Sequence, residues 1–166
     1  MEFASIYEIV HQCIEFQQAR LERHNVDLHL AMDPSIPNFL CHEVQIGQIL
    51  TNLLNNAFDA ITQSNVPEHW IQLTVTLDTL QICIDVTDSG PGVEDRFKAH
   101  LMEPFFTTKE LGLGVGVGLS LSRAIAQDHN GTLTLLNHTP HTTFRLTLPI
   151  LLEPVAPRPT QIPVPV

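Results

Sequence analysis

The chain lacks the features of a secreted or membrane-spanning protein. Its three cysteines, Cys13, Cys41 and Cys83, are odd in number, far apart and without a paired metal-ligand spacing, which favours reduced, buried thiols in a cytosolic protein. No apolar run approaches transmembrane length, and the N-terminus has no basic-then-apolar signal pattern. We therefore expect a soluble, cytoplasmic domain without direct membrane insertion, although a parent protein could still be membrane-anchored.

Positive charge is also scarce. The chain has 8 Lys and Arg residues against 18 Asp and Glu residues, for a formal charge of −10. Such a charge repels phosphate backbones, so it disfavours nonspecific nucleic-acid binding and a polybasic membrane patch. A bound nucleotide would have to be held by backbone N–H groups at a helix start and by a divalent cation.

The length and the apolar content indicate one globular core. A chain of 166 residues with 43% hydrophobic residues is long enough for one ordinary domain and too short for two. We assign residues 1–152 to this domain and residues 153–166, which contain five prolines, to an extended tail or linker. Apolar periodicity predicts three helices, at Ser5–Arg23, His42–Ser64 and Leu119–His129. Alternation predicts strands at Val26–Met32, Ile71–Leu77, Leu80–Val86, Thr132–Leu136 and Thr142–Leu148, of which the last four form two hairpins.

The second predicted helix carries an amide-rich stripe opposite its apolar face. The stripe consists of Gln45, Gln48, Asn52, Asn55, Asn56 and Asp59. A solvated stripe normally uses Lys and Glu, which are better helix formers than Asn. A single Asn would be an ordinary surface residue, but three within five positions indicate a lined pocket. An amide oxygen can bind magnesium directly or through water.

Two glycine-rich segments lie between the second hairpin strand and the third helix. The segment Asp88-Ser89-Gly90-Pro91-Gly92 follows a predicted strand and by itself predicts only a turn. The run Gly112–Ser120 alternates glycine with larger residues and opens into a helix, whose unpaired N–H groups can hold an anion. Neither G-x-G-x-x-G nor G-x-x-x-x-G-K-[ST] can be read through these glycines, so Rossmann and P-loop interpretations are weak.

Four motifs in order resemble the histidine-kinase branch of the GHKL ATP-binding superfamily. They are Asn52-Leu53-Leu54-Asn55-Asn56-Ala57, Asp88-x-Gly90-x-Gly92, Glu103-Pro104-Phe105-Phe106-Thr107-Thr108-Lys109 and the Gly112–Ser120 run, which look like its N box, first glycine box, F box and second glycine box. The resemblance covers about residues 5–150. It implies a Bergerat-type α/β two-layer sandwich, with a mixed, largely antiparallel sheet covered on one face by three helices.

The resemblance also implies roles for individual residues. Asn56 would bind the magnesium that bridges the phosphates, Asn52 would occupy the catalytic position facing the phosphate end, and Asp88 would accept a hydrogen bond from the adenine amine. Together with the metal ligand Asn56, the implied ATP-binding residues are Asn52, Asp59, Asp88, Gly90, Gly92, Phe105, Thr108, Lys109, Gly112, Gly114, Val115, Gly116, Val117, Gly118 and Leu119.

The segment from about Val93 to Gly112 would form the ATP lid of this family. Phe105 and Phe106 would anchor it, although packing explains two adjacent Phe residues equally well. Lys109 would help at the phosphates, with an ordinary exposed lysine as the alternative. The chain departs from the family at Val115 and Val117, where a hydroxyl residue and Leu are usual. We expect the lost hydroxyl to weaken one phosphate contact.

The position of Asn52 separates kinases from self-contained ATPases. Relatives that hydrolyse ATP carry a glutamate there to activate water, and an amide cannot act as a general base at neutral pH. We therefore expect transfer of the γ-phosphoryl group of Mg-ATP to a histidine. None of the nine His residues of the chain fits the acceptor pattern of the family. The expected partners are a dimerisation and acceptor domain of the parent kinase and a response regulator or fused receiver domain.

Two alternative functions remain at the sequence level. A serine kinase of the anti-sigma-factor type shares the fold and would phosphorylate a protein serine in trans. A degenerate interaction module is the other, because the changes at Val115 and Val117 could mark lost nucleotide binding. Absence of ATP binding would identify the second alternative.

Overall fold

The computed structural model describes residues 1–106, 116–136 and 141–150. Along the chain these residues form β1 (Glu2–Ala4), α1 (Ile6–Arg23), β2 (Asp27–Met32), β3 (Phe39–Cys41), α2 (Glu43–Thr62), β4 (Trp70–Asp78), β5 (Gln81–Asp88), α3 (Asp95–Lys98), α4 (Gly118–Asp128), β6 (Thr132–Leu136) and β7 (Thr142–Pro149).

The three long helices α1, α2 and α4 lie within two residues of their predicted limits. Ser5 caps α1, because its side chain accepts a hydrogen bond from the N–H of Glu8. Helix α4 ends at His129, and Asn130 then adopts a left-handed φ of 55° before Gly131. Local sequence signals therefore set both the start of α1 and the end of α4.

Five strands form one mixed sheet in the order β2-β4-β5-β7-β6. Only β2 pairs in parallel, with β4, while the other three pairings are antiparallel. Both predicted hairpins are confirmed. The first turns through Thr79, which has a positive φ of 55°.

The core lies between the helices and one face of the sheet. Alternate residues of the central strands are buried, which leaves the opposite face partly exposed. Buried side chains of this sheet face are Ile71, Leu73, Val75, Ile82, Ile84, Val86, Phe144, Leu146 and Leu148. Helix α2 supplies eight buried residues, from Ile46 to Ile61. The expected two-layer α/β sandwich is therefore confirmed.

Three small elements, β1, β3 and α3, were not predicted. Strands β1 and β3 form a separate antiparallel pair, and three-residue strands are too short to show an alternating pattern. Helix α3 is a four-residue segment inside the segment predicted as the ATP lid. On α2, Phe58 joins the core, whereas Ala60 lies only partly buried.

The proline-rich tail at 153–166 lies outside the described residues, and its separation from the domain stays a prediction. Among the described helices, none is both long and apolar enough to cross a membrane.

Candidate functional site

A cavity of about 470 Å³ opens between α2, the end of β5, the segment around α3 and the start of α4. Its volume lies in the range of pockets that bind small molecules. The lining residues are Asn52, Asn56, Asp59, Ala60, Gln63, Asp88, Gly92, Val93, Glu94, Phe97, Leu101, Phe106, Gly116, Val117, Gly118, Leu119, Thr142 and Phe144.

Asp88 lies in the cavity wall at the last position of β5 and is only 3% exposed. Its Oδ1 accepts a hydrogen bond of 2.8 Å from the N–H of Gly90. Burial raises the pKa of the Asp88 carboxyl to about 7, and the Gly90 hydrogen bond offsets part of this effect. A Cβ atom at Gly90 would lie 2.5 Å from the same oxygen, so glycine is needed for this approach. Asp88 is thus a buried acceptor whose charge a donor on a ligand would stabilise.

Asn52 links α2 to the first turns of α4. Its Nδ2 donates a 3.0 Å hydrogen bond to Oγ of Ser122, which is 2% exposed. The amide of Asn52 also packs against Gly118, where any Cβ atom would overlap its Oδ1. A serine hydroxyl and a glycine therefore fix the position of α4 against α2.

The amides at positions 55 and 56 face different parts of the molecule. Oδ1 of Asn55 accepts hydrogen bonds from Gln17 Nε2 at 3.0 Å and from Arg20 Nη1 at 2.7 Å, both on α1. Asn55 therefore joins two helices and does not line the cavity. Asn56 does line it, and no hydrogen bond between described residues engages its side chain.

The described ends of the second glycine-rich region and the F box meet beside the cavity. The N–H of Phe105 donates a 2.9 Å hydrogen bond to the carbonyl of Gly116. Gly116 has a φ of 70°, and a Cβ atom there would lie 2.6 Å from the Phe105 carbonyl carbon. Phe106 lines the cavity, whereas Phe105 is 76% exposed and does not.

Helix α4 presents its first turn to the cavity. Val117 is its N-cap residue and makes no side-chain capping hydrogen bond. Val117, Gly118 and Leu119 all line the cavity wall. The first N–H groups of a helix have no partner within the helix, and they carry the positive end of its dipole. This end of the cavity is therefore suited to an anion.

Nine predicted site residues line this one cavity: Asn52, Asn56, Asp59, Asp88, Gly92, Gly116, Val117, Gly118 and Leu119. Gly90 lies behind Asp88, and Phe105 faces solvent, so neither is part of the cavity wall. Predictions for Thr108, Lys109, Gly112, Gly114 and Val115 lie outside the described residues. The assignment of these residues to a nucleotide stays a prediction.

Sequence reasoning missed several residues of the wall. Val93, Glu94, Phe97 and Leu101 belong to the predicted lid, where only the spacing of Phe97 and Leu101 indicates a helical face. Thr142 lies opposite Asp88 in the register of β5 and β7. Its position in the wall depends on strand pairing, which the local sequence does not encode.

Comparison with known proteins identifies the class to which this fold and cavity belong. Residues 41–152 match the family of histidine kinase-, DNA gyrase B- and HSP90-like ATPases. The chain belongs to this family and is a catalytic ATP-binding domain of the sensor-histidine-kinase type.

Individual relatives agree with this class. Sensor protein FixL of Bradyrhizobium diazoefficiens is 36% identical over 146 residues, which are 87% of this chain and 28% of FixL. Sensor protein TdiS of Thauera aromatica is 32% identical over 149 residues, 88% of this chain and 27% of TdiS. The chain thus spans little more than a quarter of either relative.

Solved structures of histidine kinases share the fold. The nucleotide-free catalytic domain of histidine kinase ThkA has a TM-score of 0.78 at 27% identity, covering 90% of this chain and 97% of that domain. ThkA in complex with the response regulator protein TrrA has a TM-score of 0.75 at 24% identity, covering 90% of this chain and 42% of the ThkA chain.

Proposed function

We propose that the chain binds Mg-ATP in this cavity and donates the γ-phosphoryl group to a histidine on a separate domain. One observation carries the proposal: a single cavity joins Asp88, Asn56 and the first turn of α4, which come from three separate elements. Asp88 is a buried acceptor for the base of a nucleotide. The amide of Asn56, which has no hydrogen-bond partner among the described residues, matches the metal-bound phosphates. The first N–H groups of α4 match the phosphate oxygens.

Asp88 would recognise the adenine. An ionised, buried carboxylate accepts a hydrogen bond from an exocyclic amine, and a base with a carbonyl at that position would leave Asp88 without a donor. Burial raises the pKa of Asp88 because it destabilises the ionised carboxylate, and such a donor would stabilise that ionised form. The apolar side chains of Phe97, Leu101 and Phe144 would cover the rest of the base.

Asn56 fits a magnesium ligand. Its side chain lines the cavity, and the other described residues leave its amide oxygen without a hydrogen-bond donor. Magnesium prefers oxygen ligands, keeps several waters and is commonly bound through one or two protein groups together with substrate phosphates. When bound, magnesium would neutralise charge on the phosphates.

The chain itself would contribute positioning and electrostatic stabilisation. The first turn of α4 would bind phosphate oxygens, and Asn52 would hold that turn in place through Ser122. An external imidazole nitrogen would attack the γ-phosphorus, forming the N–P bond as the bond to the β,γ-bridging oxygen breaks. ADP leaves with that electron pair, and the imidazole then loses its remaining ring N–H proton. Asn52 cannot activate water, so hydrolysis should be slow.

The partners that we propose for this chain are those expected for a sensor histidine kinase. We propose an acceptor histidine on the dimerisation domain of the parent kinase and a downstream response regulator or fused receiver domain. The structure of ThkA with the response regulator TrrA supports a regulator as the final partner.

The test is incubation of the chain with γ-labelled ATP, magnesium and the separately purified acceptor domain of the parent protein. We expect acid-labile, alkali-stable phosphohistidine on the acceptor domain, and none when its histidine is replaced by Gln. Acid-stable phosphoserine on a partner would support the anti-sigma-factor type of kinase instead. Absence of ATP binding would contradict the proposal altogether.

A further inference from the structure

The described residues of the cavity wall carry an unfavourable charge for a triphosphate. Three of its lining residues are carboxylic acids, Asp59, Asp88 and Glu94. None of the described lining residues is Lys or Arg. A polyanionic ligand would meet these carboxylates at short range, where charge repulsion is weakly screened. A cation beside one of these carboxylates, on the side away from the cavity, would therefore favour triphosphate binding.

Arg20 of α1 is placed to meet this requirement at Asp59. Its Nη2 lies 3.2 Å from Oδ1 of Asp59, and its Nη1 donates to Oδ1 of Asn55 at 2.7 Å. Its guanidinium also lies 3.8 Å from the ring centroid of Phe58. Three residues from two adjacent turns of α2, Asn55, Phe58 and Asp59, thus hold one guanidinium group against the outer side of the cavity wall.

The Arg20–Asp59 pair differs from the other pair at the cavity. Arg96 and Glu94 are 70% and 65% exposed, so their interaction is screened by solvent. Asp59 is only 21% exposed, and Arg20 is 41% exposed and anchored by two further groups. The anchoring reduces the entropy cost of keeping the guanidinium beside Asp59.

We propose that Arg20 is a positioning residue for nucleotide binding: it neutralises Asp59 and holds it in the cavity wall, so that the triphosphate can enter. The inference rests on the proposed binding of Mg-ATP in this cavity. Arg20 acts through Asp59 and does not itself line the cavity. The four sequence motifs do not include it.

The test is a double-mutant cycle for Mg-ATP affinity, measured by calorimetry on the full 166-residue chain. R20Q is expected to weaken binding about fivefold in the wild-type background, because it removes the positive charge that lies beside Asp59. In the D59N background the same R20Q change should cost less than about twofold, because no charge remains to be neutralised. Raising the salt concentration should shrink the effect of R20Q in the wild-type background.

R23Q is the matched control, since it removes the same charge from an exposed position of the same helix; it should leave affinity within about twofold. If R20Q weakened binding equally in both backgrounds, Arg20 would act through helix packing or direct phosphate contact, and the inference would be wrong. Unchanged affinity in R20Q would also overturn it. If the wild-type chain bound no Mg-ATP, the proposed function itself would fail. Thermal unfolding of each variant verifies that it is folded.

Discussion

Asp88 combines deep burial with a carboxyl group that has no cationic partner among the described residues. Among the described residues, only the N–H of Gly90 donates a hydrogen bond to it, which does not compensate for the loss of water. Burial therefore favours the protonated form, and the pKa of Asp88 rises from 3.8 to about 7. In the absence of ligand, ionisation of the buried Asp88 carboxyl lowers the free energy of unfolding of the domain.

The first prediction concerns the pH dependence of stability without ligand. The folded pKa of Asp88 lies above the unfolded value, so the folded state holds the proton more tightly. The stability contributed by this group is fully present below about pH 4 and is lost as pH rises through about 7. D88N keeps the acceptor oxygen for Gly90 and cannot ionise. The stability of D88N relative to wild type should therefore increase from pH 5 to pH 8, by up to a few kcal/mol.

Urea unfolding of both proteins at several pH values measures this difference. Other titrating groups are the same in the two proteins and largely cancel in the comparison. Parallel stability profiles for wild type and D88N over pH 5 to 8 would show that Asp88 has an ordinary pKa.

At the scale of secondary structure, the contact between α2 and α4 is the one that places the first turn of α4 at the cavity. Asn52 and Ser122 form a partly buried hydrogen bond across it, beside the close approach of Gly118 to the Asn52 amide. The first turn of α4 lines the cavity, so its placement depends on this contact. If the first turn of α4 binds phosphate as proposed, this junction couples stability to phosphate binding.

The second prediction compares two serines of α4. S122A removes the acceptor of the Asn52 Nδ2 group and should lower the free energy of unfolding by about 1–3 kcal/mol. S120A is the matched control, because the Ser120 hydroxyl donates only to the carbonyl of Val117 in its own helix. We expect the control to change stability by less than about 0.5 kcal/mol. Urea unfolding measures both, and equal effects of the two substitutions would contradict the role given to Ser122.

The sequence predicts the long elements well because their signals are local. Apolar periodicity predicts α1, α2 and α4 within two residues of their limits. Strands β1 and β3 escape prediction because each has only three residues. Short elements are set by their tertiary partners and not by a periodic pattern.

At the scale of the whole molecule, the cavity is a product of the topology. The amide helix α2, the end of β5 and the start of α4 meet because β5 lies in the middle of the sheet and both helices pack on the same face. Motifs indicate that Asn56, Asp88 and Gly118 belong to one site. The hydrogen bonds that orient the site, such as Arg20 to Asp59, join residues far apart in sequence and leave no local signal.

The central claim is that this cavity binds one Mg-ATP between Asp88 and the amide face of α2. Calorimetric titration of ATP with magnesium into wild type, D88N and N56A tests it most directly, with Q48A as a control for an exposed amide on the same stripe. We expect one binding site in wild type and Q48A, and no measurable binding in D88N and N56A while both remain folded. Wild-type affinity in both D88N and N56A would contradict it.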